Sequence, residues 1–423
     1  MPGSLLRHRD FRLLWAGDTI SQFGSQVTML ALPLLAVTTL HASPFEVGLL
    51  TTFEFLSFLL VGLPAGAWVD RMRRRNVLIA GDLGRALLLG SLPLAAFLDV
   101  LNLPQLYLVA LGNGLLTVFF DVAYQSYLPH LVGREHLVEG NAKLQASQSV
   151  SVVAGPTAGG FLVQALTAPY AVLVDAASFL WSALCVGAIR SREPRPERVP
   201  ERHLGREIAE GLRFVFGNRL LRAISFSTST FNFFATIGGT MLILLLAREL
   251  GLSAGTIGLF FSIGSVGAIV GALVASRVAA RLGQGPTIWI SAALSGPPGL
   301  LLPLTQRGWF LWVVAAANAL VTLLIPVYNI TQVSFRQGLC PERLLGRMNA
   351  TIRFVVWGTM PVGGLVGGAL GSWIGVRPTL WVGAVGLSLA FLWVFCSPLR
   401  TMRELPTRPD DDELTDLEPL SVE

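Results

Sequence analysis

Gly66-Ala67-Trp68-Val69-Asp70-Arg71-Met72-Arg73-Arg74-Arg75-Asn76-Val77-Leu78 decides how this chain is read. One apolar segment runs into it from Val47 and another leaves it from Val77. Between them a very short turn holds one acid and four arginines. Two membrane-crossing helices joined on the cytoplasmic side have this form, because basic loops stay inside. Charge alone supports only a basic loop. The spacing Gly66-x-x-x-Asp70-Arg71-x-x-Arg74-Arg75 adds a specific pattern.

Composition agrees with a membrane protein. Of 423 residues, 52% are hydrophobic and 13% charged, against roughly 25% charged in soluble domains. Apolar runs of about 20 residues read as membrane helices. Twelve are expected, at roughly 13–39, 45–69, 77–99, 105–128, 143–166, 170–190, 222–247, 255–277, 286–305, 309–334, 349–373 and 378–398. The expected fold is therefore an all-α membrane protein, with the lipid bilayer as its first partner. Residues 1–190 form an N-terminal six-helix half and 222–398 a C-terminal one. Residues 191–221 form a basic cytoplasmic linker, in which Ile208, Leu212 and Val215 suggest an amphipathic helix lying on the inner surface. The acidic tail, 399–423, reads as disordered. Arg7, Arg9 and Arg12 lead straight into the first span, so no cleaved signal is expected.

Orientation follows from the basic residues. With the N-terminus inside, 26 of the 31 lysines and arginines fall at inner ends, against Arg248, Arg307 and Arg377 outside. Both termini are thus expected in the cytoplasm. The halves also repeat. Asn113-x-x-x-Thr117 returns as Asn318-x-x-x-Thr322, and Asn141-Ala142, Gly155 and Gly159-Gly160 return as Asn349-Ala350, Gly363 and Gly367-Gly368. Small residues are common in membrane helices, but the same order at nearly constant offset points to a parallel duplication of six spans. Asp70 has no acidic counterpart: Ala280 stands in its place.

The loop pattern resembles the signature between helices 2 and 3 of the major facilitator superfamily, with Arg73 where that family usually has a second Gly. The resemblance implies twelve helices in two pseudo-symmetric halves, close helix packing at Gly66, and an inner gate in which Asp70 pairs with arginines. Gly155-Pro156-x-x-Gly159-Gly160 resembles the span-5 signature of the drug/proton antiporter branch, where it shapes a hinge. Phe11-Arg12-Leu13-Leu14-Trp15, Ala31-Leu32-Pro33-Leu34-Leu35 and Tyr127-Leu128-Pro129 look like the macrolide-efflux and siderophore-exporter group. The family's span-4 arginine is replaced by Ala110 in Leu106-x-x-x-Ala110-x-x-x-Gly114.

Ionisable residues inside spans are functional candidates. Asp82 and Arg85, at i and i+3, read as a structural pair near the gate formed by Gly66, Asp70, Arg71, Arg74 and Arg75, and Arg353 as a further part of that latch. Asp175 reads as part of a packing network. Glu54, Asp18 and Asp121 remain as proton-coupling candidates. Glu54 lies about 14 Å along its span, near mid-membrane, among Phe53, Phe55, Leu56 and Phe58.

Polar stripes mark a path, since unpaired polar groups facing lipid cost several kcal/mol. Gln22 on span 1, Asn113, Thr117 and Tyr124 on span 4, Asn232 and Thr236 on span 7, and Asn318, Thr322 and Asn329 on span 10 are expected to line it. The competing reading is hydrogen bonding between helices.

No phosphate-binding Gly-x-x-x-x-Gly-Lys loop, nucleophile elbow or paired-cysteine motif occurs. The five histidines lie outside the spans without metal spacing. No cofactor, no metal, no nucleic acid and no enzymatic reaction is expected. The reading is a monomeric bacterial inner-membrane exporter of small, partly apolar molecules (drugs, antibiotics or siderophores), driven by proton antiport. The rivals are an uptake symporter, a lysolipid flippase, or a non-transporting sensor, which would need a soluble effector domain.

Overall fold

The computed structural model describes residues 5–69, 71–133, 136–191, 193, 204–341 and 344–404. All regular structure among them is helical. Twelve helices are long and apolar enough to cross a membrane. Spans 1 to 6 are Arg9–Thr39, Pro44–Val61, Arg74–Phe97, Leu103–Val132, Glu139–Leu166 and Ala168–Gly187. Spans 7 to 12 are Arg219–Glu249, Ala254–Leu282, Gln284–Leu304, Trp309–Leu339, Leu345–Trp373 and Val376–Phe395. Helices satisfy their own backbone groups, which lipid cannot do.

Local chemistry sets the ends. Ser43 and Glu46 form a reciprocal capping box at span 2, with the Ser43 amide donating to Glu46 Oε2 at 2.7 Å and Pro44 in the first turn. Asn102, Asn218 and Ser253 cap spans 4, 7 and 8 through side-chain oxygens.

The duplication is visible in the packing. Spans 1, 3 and 4 pack on 6, 6 and 3, as spans 7, 9 and 10 pack on 12, 12 and 9. Spans 2 against 11 and 5 against 8 join the halves. The glycine repeat explains the joint. A Cβ on Gly159 would lie 3.1 Å from Val27 Cα on span 1, and one on Gly367 3.1 Å from Ile237 Cα on span 7. A Cβ on Gly160 would lie 3.0 Å from Gly258 Cα on span 8, and one on Gly368 2.9 Å from Gly48 Cα on span 2. Each pair therefore presents one glycine to its own half and one to the other. Hydroxyls follow the same pseudo-symmetry: Thr157 Oγ1 donates to Ser262 Oγ at 2.7 Å, and Thr52 Oγ1 to Pro361 O at 3.0 Å.

Every hydrogen bond between the halves among the described residues lies in the part of the bundle near the arginine-poor end. There spans 1 and 7 each finish in a π-helical turn, Leu35–Thr39 and Leu245–Glu249. Arg248 crosses from the second turn to the first half, donating to Ala42 O at 2.7 Å and Val37 O at 3.1 Å. Thr240 donates to Thr51 at 3.2 Å. No hydrogen bond or ion pair between described residues joins the halves at the arginine-rich end. Among the described residues, the bonds that tie the halves together gather at the arginine-poor end.

In the linker, Leu204–Gly217 is helical, and part of its apolar face packs on protein. Val215 is buried with Leu344, Met348 and Ile352, at the start of span 11. A Cβ on Gly211 would lie 3.0 Å from Arg347 O. The start of span 11 offers an apolar face nearer than the bilayer, and the linker helix covers it. Most of the acidic tail lies outside the described residues. Its beginning docks: the amides of Gln284 and Gly285, opening span 9, donate to Arg403 O at 3.0 Å and Met402 O at 2.8 Å.

Candidate functional site

The N-terminal half holds a cluster of ions. Arg85 Nη2 donates to Asp82 Oδ1 at 2.5 Å, and the two side chains are 5% and 0% exposed. The guanidinium lies between two rings, 4.2 Å from the Phe120 centroid and 4.1 Å from the Phe179 centroid. Asp121 and Asp175 are both within electrostatic reach of Arg85, and Asp175 Oδ1 accepts from Ser178 at 3.0 Å. Asp18, buried, faces Gln22 and Tyr124 and is within reach of Asp82 and Asp121. The Tyr124 ring stacks on Phe120 at 5.8 Å, and its buried hydroxyl lacks hydrogen-bond geometry to any acceptor. Three carboxyls, those of Asp82, Asp121 and Asp175, thus lie around one guanidinium, and Asp18 adjoins two of them. Arg353 of span 11 adds a second cation within reach of Asp121.

Asp82 and Arg85 lie inside the N-terminal half and not at the loop. Span 3 begins at Arg74, so Asp82 is two turns, about 12 Å, inside it. The pairing expected from the i, i+3 spacing holds, and its place is the packed centre of the half.

Glu54 has no hydrogen bond or ion pair with the described residues and is half-buried. Residues three and four apart share a helix face, and its neighbours on that face touch the other half. Thr51 meets Thr240 of span 7, and Phe58 packs edge-on to Trp357 of span 11 at 4.4 Å. Glu54 lies between them, on the line where the halves meet.

Asp70 lies outside the described residues. Arg71 is exposed. A Cβ on Gly66 meets nothing within 4 Å, so the close packing expected there is corrected: the helix containing Gly66, Pro64–Val69, is a separate short piece. Arg74 and Arg75 bind the start of the linker and their own half. Their amides donate to Glu193 Oε1 at 3.0 Å and Oε2 at 3.1 Å, and Arg75 Nε donates to Val186 O at 3.2 Å. A carboxylate at a helix N-terminus meets free amides and the positive end of the dipole. Arg353 stacks over Trp357 at 4.6 Å.

The span-5 motif is a packing element on two sides. Gly155 abuts the Gln26 side chain, and Pro156 O touches the space a Cβ on Gly258 would fill. Of the path residues, Asn232 and Asn329 line a cavity of about 60 Å3 with Ser227, Thr228, Ser291 and Tyr328. Thr117 and Thr236 return their hydroxyls to Asn113 O at 2.8 Å and Asn232 O at 2.7 Å. Asn113 Oδ1 is buried without a partner. Asn318 and Thr322 reach span 8. Thr322 Oγ1 donates to Gly264 O, and a Cβ on Gly264 would lie 2.5 Å from Asn318 Nδ2. They join span 10 to span 8, where exposed glycine backbone needs polar partners.

This geometry, two six-helix halves meeting along spans 2, 5, 8 and 11 around facing ionisable groups, has recognisable relatives. Residues 2–418 match the family described as transmembrane secretion effector. The chain is a major facilitator transporter of that family. An enterobactin exporter EntS of Shigella boydii is 26% identical, covering 95% of this chain and 96% of its own. One of Citrobacter koseri is 26% identical, covering 96% and 97%. In fold, the chain is similar to a bacterial homologue of the iron transporter ferroportin in an inward-facing state, with a TM-score of 0.75, 16% identity and coverage of 94% and 100%. The nucleoside transporter NupG gives 0.74, 12% identity and coverage of 92% and 99%.

Two arginines of this transporter escape a reading by sequence. Arg248 looks like a lone loop charge, yet the π-helical turn brings it onto the seal. Arg336 looks like part of the loop after span 10, yet the helix runs on to Leu339. The signal was present: Tyr328, Gln332 and Arg336 continue the helical spacing of four.

Proposed function

We propose that this chain exports small, partly apolar molecules across the bacterial cytoplasmic membrane, by proton antiport with alternating access. The carrying observation is Glu54, a carboxyl without a partner on the line where the halves meet, with the Asp18–Asp121 cluster behind it. Four carboxyls and two guanidiniums lie in that cluster, enough acids for one of them to exchange a proton. Proton release then follows wetting of the path. The enterobactin exporters named above support outward transport.

In this reading the arginine-rich end faces the cytoplasm, with both termini inside. The described state, sealed at the opposite end, is then inward-facing and receives cargo from the cytoplasm. Inner closure would bring the loop 2–3 arginines and Arg353 towards acids of the facing half. The transporter works as a monomer, each half rocking on the glycine joints. The test is flux in inverted membrane vesicles under an imposed pH gradient. Accumulation of an apolar dye in acid-inside vesicles, collapsed by a protonophore, is expected. Accumulation only under the reverse gradient would replace export by uptake.

A further inference from the structure

Among the described residues, the C-terminal half holds a cation with no counter-ion. Arg336 lies within span 10, partly buried, and its Nε is enclosed with no hydrogen-bond acceptor. No ion pair or hydrogen bond connects it to any described residue. Tyr328 lies about two turns before it on the same helix. Tyr328 is within its electrostatic reach. Between them Gln332 is 4% exposed, and its Oε1 also lacks a partner. Tyr328 then opens the 60 Å3 cavity between spans 7, 9, 10 and 12, where its hydroxyl shares a 2.7 Å hydrogen bond with Thr228.

A partly buried guanidinium without an anion is costly, and the cost is offset when an anion arrives. Its planar fork fits a carboxylate in bidentate fashion. A water needs roughly 10–15 Å3 of such volume, so the cavity accepts one small group. It is far below the roughly 300–1,000 Å3 of a drug-sized site. The remainder of a bound molecule would lie towards Asn232 and Asn329.

We infer that Arg336, Gln332 and the hydroxyl-lined cavity at Tyr328 form an anion subsite that takes a terminal acidic group, a carboxylate or phenolate, of the exported molecule. This rests on the transporter reading for its cargo but is read by binding alone, so its outcome is independent of transport direction or coupling ion. The same chemistry would suit a phosphate of a lipid headgroup, and the test separates the two.

The probes are benzoate and its uncharged counterpart benzamide, titrated calorimetrically into the full chain in phosphatidylcholine nanodiscs. Benzoate is expected to bind more tightly by about tenfold or more, the scale of a charged hydrogen bond. Arg336→Gln should bring the ratio near one, while Arg336→Lys keeps part of it. Without ligand, Arg336→Gln should unfold at the same or a higher temperature, since it removes an uncompensated charge. No benzoate preference in the wild type, or an unchanged preference in Arg336→Gln, overturns the proposal. A lower unfolding temperature with the preference intact makes Arg336 a packing residue. Phosphatidylglycerol nanodiscs form the last arm: benzoate binding that persists there supports a cargo site, and binding abolished there assigns it to a lipid headgroup.

Discussion

Thr157 on span 5 and Ser262 on span 8 share a 2.7 Å hydroxyl–hydroxyl bond across the joint between the two halves. The Thr157 amide donates to the same oxygen at 3.0 Å. If the halves rock apart at the arginine-poor end, this contact must break.

Cysteines at these two positions should therefore hold that end closed. Their side chains already meet, and a disulfide asks for comparable approach. Thr157→Cys with Ser262→Cys is expected to stop transport on oxidation and recover it with a reductant. Each single variant should remain active. Full activity of the oxidised pair, with cross-linking verified by mass, would mean that the joint does not open.

The glycines of the same joint should be sensitive in pairs. Gly160→Leu forces a side chain against Ala254 O and Gly258, and Gly368→Leu against Gly48. Overpacking costs about 1–3 kcal/mol, and here it also obstructs the rocking contact. Both variants are expected to lower the unfolding temperature and reduce flux. Gly66→Ala, with open space around its Cβ, should leave stability unchanged. Equal sensitivity at all three sites in thermal unfolding would contradict the packing described.

The fold was legible because its signals are long-range and redundant. Twelve apolar runs, arginine at alternate ends and a repeat such as Gly159-Gly160 with Gly367-Gly368 survive errors at any one residue. The site was legible only by residue type. Asp18, Glu54 and Asp121 stand out as acids in apolar runs, but nothing in the sequence says that Asp82 points into a half and Glu54 between halves. Asn318 and Thr322 carry the same spacing as Asn113 and Thr117, and only their contact with Gly264 and Gly267 separates the two pairs. Glu193 sits in a charged linker, where no periodicity marks it as a cap for Arg74 and Arg75.

The Asp82–Arg85 pair should behave as a unit. Removing one partner of a buried ion pair costs about 3–5 kcal/mol, because the other is left uncompensated. Asp82→Asn and Arg85→Met are each expected to destabilise the protein strongly in thermal unfolding. The double variant should be milder than the sum of the two, with coupling visible in a double-mutant cycle. Additive losses would show that each residue is held by other neighbours, against the 2.5 Å contact observed here.

Glu54 should separate coupling from binding. Its carboxyl makes no hydrogen bond to the described residues, so Glu54→Gln removes a titrating group without breaking a contact. Little loss of stability is expected, unlike at Asp82. Binding of an apolar cargo should persist, because the neighbouring Thr51–Thr240 and Phe58–Trp357 contacts are unchanged. Reconstituted vesicles with an imposed pH gradient give the decisive measurement. Wild-type protein should accumulate cargo uphill, with a rate that varies with pH. Glu54→Gln should carry cargo only down its own gradient, with a flat pH profile. If uphill transport persists in Glu54→Gln but disappears in Asp18→Asn or Asp121→Asn, the proton travels through the buried cluster. Persistence in the triple variant would remove coupling through Glu54, Asp18 and Asp121.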